Sequence, residues 1–145
     1  MSESFNASTL NARFKPIVSM LDDIRHDAMT WLRAHKQDVE KWRNEWSPQC
    51  MEKFHDNMSN AFGCHVFFNG DEGYEIINGN DRHTVFLKRK LCTCRAWELI
   101  GIPCSHAICA MNHARIDPQS QISMWYHKTR YEATYAFMMQ PMPGK

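Results

Sequence analysis

The residue types at Cys92, Cys94, Cys104 and His106 are those that bind a borderline-soft divalent metal, and their spacing suits the task. They lie in the run L-C-T-C-R-A-W-E-L-I-G-I-P-C-S-H-A, where each pair is separated by a single residue. Three thiolates and one imidazole form a closed tetrahedral set for Zn2+, with no position left for a reacting water. That is structural chemistry rather than catalysis. Two further readings stand beside it: four ordinary buried groups in a core, and redox chemistry at Cys92-Thr93-Cys94. The redox reading fits poorly, since the usual dithiol motif has two intervening residues and Cys104 and His106 would go unused. Cys109 and His113 follow His106 on the same helical face and compete for the fourth position. Cys109 lies in the apolar run Ala107–Met111, which suits a buried thiol. His113 suits a helix C-terminus, where a histidine meets the negative end of the dipole. Cys50, Cys64, His65 and His83 have no second partner at ligand spacing and receive no role.

Four donors can meet only if the chain returns on itself. Cys92 and Cys94 fall at the end of a strand expected over Thr84–Leu91, where side-chain alternation sends both sulfurs to one side. Gly101-Ile102-Pro103 supplies the turn back. Cys104 and His106 then arrive at the start of a helix ending near His113, whose N-terminal dipole favours a thiolate. An earlier strand, Tyr74–Ile77, joins the first through the turn-rich Asn78-Gly79-Asn80-Asp81. Val85, Leu87, Trp97, Leu99, Ile100 and Ile108 are expected to pack around the metal. Upstream, Ile17, Met20, Leu21, Ile24, Ala28, Trp31 and Leu32 recur at helical spacing and predict one helix between Pro16 and Trp46. Pro16 suits its first turn. Ser47-Pro48 reads as the cap and first residue of a second helix with Met51, Phe54 and Met58 on one stripe, ending near Gly63. After Asp117-Pro118 comes an aromatic segment with Trp125, Tyr126, Tyr131 and Tyr135, then a frayed tail from Gln140. The sum is an α+β protein: N-terminal helices, a small zinc-stabilised ββα finger and a short C-terminal helix. The corresponding segments are 1–62, helical; 63–117, the finger; and 118–145, the aromatic tail.

A length of 145 residues, 23% charged and 43% hydrophobic, bounds the chain to one domain or a zinc module with a helical extension. No apolar run approaches membrane-spanning length, and Met1–Lys15 lacks the apolar stretch of a secretion signal. An intracellular, reducing compartment is therefore expected, where the six cysteines serve as metal ligands or buried thiols rather than bridges. The net charge of +1, from 17 basic and 16 acidic residues, excludes the strong positive field of a dedicated nucleic-acid binder. Any DNA contact must be local. Arg82, Lys88, Arg89, Lys90 and Arg95 cluster near the ligands and suit phosphate contact that is weak, salt-sensitive and without sequence readout. Trp97 would add a stacking surface if exposed. The same cations would also balance the net negative charge of Zn2+ with three thiolates, whether or not DNA is present. Trp31, Trp42, Trp46, Trp125 and Tyr131 either anchor a protein partner or pack the chain's own core.

The pair C-x-C followed by C-x-H, set on strands and a helix, resembles the SWIM-type zinc finger. The stretch CTCRAWELIGIPCSHAICAM is similar to the version in plant Mutator-like transposases and the transposase-derived far-red-response regulators. Ser4-Phe5-Asn6, Ala12–Ile17 and Met20–Arg25 resemble the segment that joins the transposase catalytic core to its finger. Trp125-Tyr126 and Tyr131–Pro141 resemble the aromatic tail that follows it. The resemblance implies Zn2+ on Cys92, Cys94, Cys104 and His106, DNA recognition by a C-terminal transposase fragment, and a nuclear location. Its alternative is a protein-protein interaction module or a transposase-derived transcriptional regulator. The resemblance also makes Glu3 the last acidic residue of a three-carboxylate metal site in an RNase H-like core. The two upstream aspartates of that site have no counterpart, and Asp22, Asp23 and Asp27 fall on the polar face of an amphipathic helix. Two-metal phosphoryl transfer needs several carboxylates, so the chain is expected to be a recognition module and not an enzyme.

Overall fold

A computed structural model describes residues 6–143; Glu3, Ser4 and Phe5, which carry part of the transposase resemblance, lie outside the described residues. The chain forms two compact units, one of residues up to Trp42 with those from Tyr131 onward, the other Arg43–Arg130. These units cut the chain differently from the three sequence segments, because the second helix packs within the same unit as the finger.

In the first unit a 3-10 turn at Ala12–Phe14 leads into helix α1, Ile17–Glu40. Pro16 occupies the N-cap, one place before the first helical residue, where a missing N–H costs nothing. The helix stops well short of Trp46. The chain beyond it is drawn into backbone pairing inside the second unit: Ser47 N–H donates to Tyr126 O at 2.9 Å, and Lys128 N–H to Glu45 O at 2.7 Å. The apolar stripe of α1 forms at the expected period, yet Ile17, Leu21 and Trp31 remain exposed, and Val39 is the buried residue of the helix. Aromatic pairs hold the returning chain instead. Trp31 meets Tyr135 edge-on at 5.5 Å between centroids, and Trp42 meets Tyr131 at 4.8 Å.

The second unit begins with α2, Pro48–Ala61. Ser47 caps it by accepting the Cys50 N–H at 3.3 Å, and Pro48 opens the first turn. Cys50, Met51 and Phe54 form its buried face. A four-stranded antiparallel meander follows: β1 Cys64–Phe68, β2 Gly73–Asn78, β3 Asp81–Phe86 and β4 Leu91–Cys92, in that spatial order. The β2–β3 turn has two residues, and Gly79 at its first position takes φ +62°, the left-handed value such tight hairpins need. The strand expected over Thr84–Leu91 is interrupted. It turns at Leu87–Lys90, so that Leu91 and Cys92 come back beside Phe86 and Val85. The run Lys88-Arg89-Lys90 is therefore a turn and not a strand.

Two short helices complete the unit: α3, Ala96–Ile100, and α4, Ser105–His113. Helix α4 is buried over Ala107–Met111 and joins Phe54, Ile76, Val85 and Trp97 in one apolar core. Leu99 is 77% exposed and Ile100 43%, so neither packs around the metal ligands. Ile102 and Ile122 fill that core instead. Beyond α4 the chain runs through two 3-10 turns, Pro118–Gln121 and Met124–Tyr126, into α5, Lys128–Thr134. Among the described residues no helix is long and apolar enough to cross a membrane.

Candidate metal centre

Each ligand pair is delivered by a different piece of backbone geometry. Cys92 ends β4, fixed by its pairing with Val85. Cys94 lies just past the strand in a tight turn, where Arg95 N–H donates to Cys92 O at 2.8 Å. Strand alternation is thus not what brings the two sulfurs together; the turn is. Arg95 takes φ +61° and Gly101 φ +78°, bracketing α3 with two left-handed residues that reverse the chain. Gly101 is required there: a Cβ would stand 2.9 Å from Ser123 Cβ, besides the cost of its φ. The returning loop is pinned by Asn57 of α2, whose side-chain amide donates to Pro103 O at 2.9 Å. Cys104 then serves as N-cap of α4, its sulfur accepting the Ala107 N–H at 3.4 Å, and His106 follows within the first turn.

The four donor atoms lie within 4.8 Å of one another. Cys92, Cys104 and His106 are buried and Cys94 half-buried. Cys92 Sγ and His106 Nδ1 are 3.7 Å apart. Zn–S and Zn–N bonds of their usual lengths, opened to a tetrahedral angle, place sulfur and nitrogen about 3.6 Å apart. The donor set therefore fits a zinc ion in element, number and spacing. The three thiols share charge unequally. Cys104 is lowered to about 4, chiefly by a hydrogen bond from the Cys92 thiol and further by His106 and the Ala107 N–H. Cys92 is pushed strongly up because its thiol donates a hydrogen bond to the Cys104 sulfur and because it is buried, and Cys94 is pushed up by burial. When bound, the ion supplies the positive charge that lets all three sulfurs ionise together.

The competing ligands are accounted for elsewhere. The Cys109 thiol is directed at Cys64 O, 3.7 Å away, and burial raises it. His113 is exposed at the end of α4 and its ring lies among Phe68 and Tyr74. Cys50 is sealed in the core, Cys64 is directed at Asn60 O, and His65 is exposed. His83, which sequence spacing left without a role, stacks on His106 with centroids 3.9 Å apart. Only sheet register could have revealed that.

The basic residues are less available than their clustering suggests. Lys88 is 2.8 Å from Glu72, while Arg82 and Arg95 each lie 3.9 Å from a carboxylate, Glu75 and Glu98. Arg89 lies over the Phe86 ring at 5.6 Å. Lys90, exposed at φ +54°, has no ion-pair partner among the described residues. Trp97 is 3% exposed, so it offers no face for stacking.

A closed three-cysteine, one-histidine centre on a turn and a helix start defines a structural zinc module. Residues 83–115 match the SWIM zinc finger family, and the four donors lie inside that segment. No curated protein and no solved structure matches the chain.

Proposed function

We propose that the chain is a zinc-held recognition module from the C-terminal region of a Mutator-like transposase or a regulator derived from one, acting on DNA in the nucleus without catalysis of its own. The observation that carries this reading is the closed donor set within the SWIM match: all four donors point inward and none is left to work on a substrate. The transposase lineage rests on the wider resemblance of the sequence on both sides of the finger. The Leu87–Lys90 turn supports contact with phosphates, since Arg89 and Lys90 are exposed on it and it leads straight into the strand that carries Cys92. Lys88, Arg82 and Arg95 contribute less, because nearby carboxylates offset them.

Fluorescence anisotropy with a labelled duplex tests the reading. Reversing both charges, Arg89→Glu with Lys90→Glu, should weaken binding and reduce the slope of log affinity against log salt by about two, as expected for two lost phosphate contacts. A slope that does not change, or a parent chain that binds no duplex at low salt, rejects DNA recognition through this turn.

A second reading is favoured by the exposed apolar side chains of the same unit. Phe62, Leu99 and Trp125 are 87%, 77% and 79% exposed, and large exposed apolar side chains are characteristic anchors of protein interfaces. On that reading the zinc module holds a protein partner. Concentration-dependent self-association without DNA would favour it over the first.

A further inference from the structure

We infer that His83, held in place by Thr93, is a positioning residue for the metal ligand His106. This rests on reading the four donors as a zinc site. His83 lies in β3 two residues before Val85 and opposite Ile76 of β2, so alternation turns it to the face on which both of those side chains are fully buried. An imidazole is an expensive choice for that face unless its polar atoms are used. One is. His83 Nδ1 is 3.3 Å from Thr93 Oγ1, and the same oxygen accepts the Thr84 N–H at 3.0 Å. While accepting from the backbone, the hydroxyl still has its own proton to give to an unprotonated His83 Nδ1 and a second lone pair to accept from a protonated one.

Thr93 is in turn fixed to β3 by its backbone, donating to Thr84 O at 3.0 Å. It is also the residue between the ligands Cys92 and Cys94. The clamp therefore links both halves of the centre: the segment Cys92–Cys94, which carries two sulfurs, holds His83, and His83 lies against the fourth ligand, 27° from parallel. Because Nδ1 of His106 faces Cys92, the stacked ring restrains rotation of the imidazole about its attachment. It also covers one face of the ring from water and chelators.

The test uses the full chain loaded with Zn2+ or with Co2+ as a spectroscopic probe, and the variants His83→Ala, His83→Phe and Thr93→Val. His83→Ala should still bind one ion per chain but more weakly by about 10–100-fold, the range typical when support behind a ligand is lost, and so transfer zinc to EDTA faster. Its Co2+ ligand-field bands should shift. His83→Phe, which keeps a flat ring without the hydrogen bond, should recover most of the transfer rate. Thr93→Val should fall between Ala and the parent. If His83→Ala folds poorly, the Phe and Val variants carry the comparison on their own. Transfer rates and Co2+ spectra equal to the parent's in Ala and Val, or in Val alone where Ala is unfolded, would overturn the role of His83 even if thermal stability falls. A parent chain that binds no ion would instead overturn the zinc reading itself.

Discussion

Two buried cysteines of the same unit are shifted in opposite directions, and the difference lies in what faces each sulfur. Cys50 is 2% exposed among apolar groups, and desolvation pushes its thiol from 9.0 up to about 11. Cys104 is also buried, yet it faces donors and is lowered to about 4. The folded-state value of Cys50 lies above the unfolded one, so its contribution to stability is complete below about pH 9 and is lost as pH rises towards 11. Across that window the group should cost about 2–3 kcal/mol of unfolding free energy. Urea unfolding of the zinc-loaded chain at successive alkaline pH values should show this loss, and Cys50→Ala should make it smaller, the raised thiols of Cys64 and Cys109 supplying part of what is left. The substitution also opens a cavity that lowers stability at every pH, so the slope is the readout; parallel profiles for parent and variant would contradict the assignment. At this scale the four ligands were legible because metal chemistry restricts both residue type and spacing. His83 was not, because it reaches His106 through pairing between strands. Trp97, open to a binding role by sequence alone, is enclosed by the core.

At the scale of elements, turns and caps decide where the donors go. Replacing Ser47 by Ala removes the acceptor for the Cys50 N–H and should cost about 1 kcal/mol. Gly101→Ala should cost more, because a left-handed φ alone accounts for about 1 kcal/mol and the new methyl must also displace Ser123 Cβ. Thermal or urea denaturation of both variants in excess zinc checks the ranking, and a Gly101→Ala chain as stable as the parent would refute the role given to that turn. Helices α2 and α4 were readable from a cap and an apolar period. Strand β1 was not: Cys64-His65-Val66-Phe67-Phe68 lacks clean alternation, and both phenylalanines stay exposed. The break at Leu87–Lys90 was hidden too, since nothing in Leu-Lys-Arg-Lys marks a turn by the usual Gly, Pro or Asn. Its closing residue, Lys90, adopts the left-handed conformation without one.

For the molecule as a whole, the family match and the folding unit have different extents. The match covers residues 83–115, whereas the compact unit is Arg43–Arg130. The smaller segment lacks Phe54, Ile76 and Ile122, all part of the single core around α4. A fragment of residues 43–130 with zinc should give a cooperative melt and dispersed amide signals, and a fragment of residues 83–115 should not. EDTA should unfold the larger fragment, because a structural zinc supplies apparent binding energy of about 10–16 kcal/mol against a typical domain stability of about 5–15. Persistent signal dispersion after metal removal would show that the core suffices alone. Backbone bonds tie Glu45 to Lys128 and Ser47 to Tyr126. The polypeptide goes into this unit and comes out of it through a single stapled neck. Such a module is portable: its two ends sit side by side, so it can be spliced into a surface loop of an unrelated host without stretching the host's own backbone.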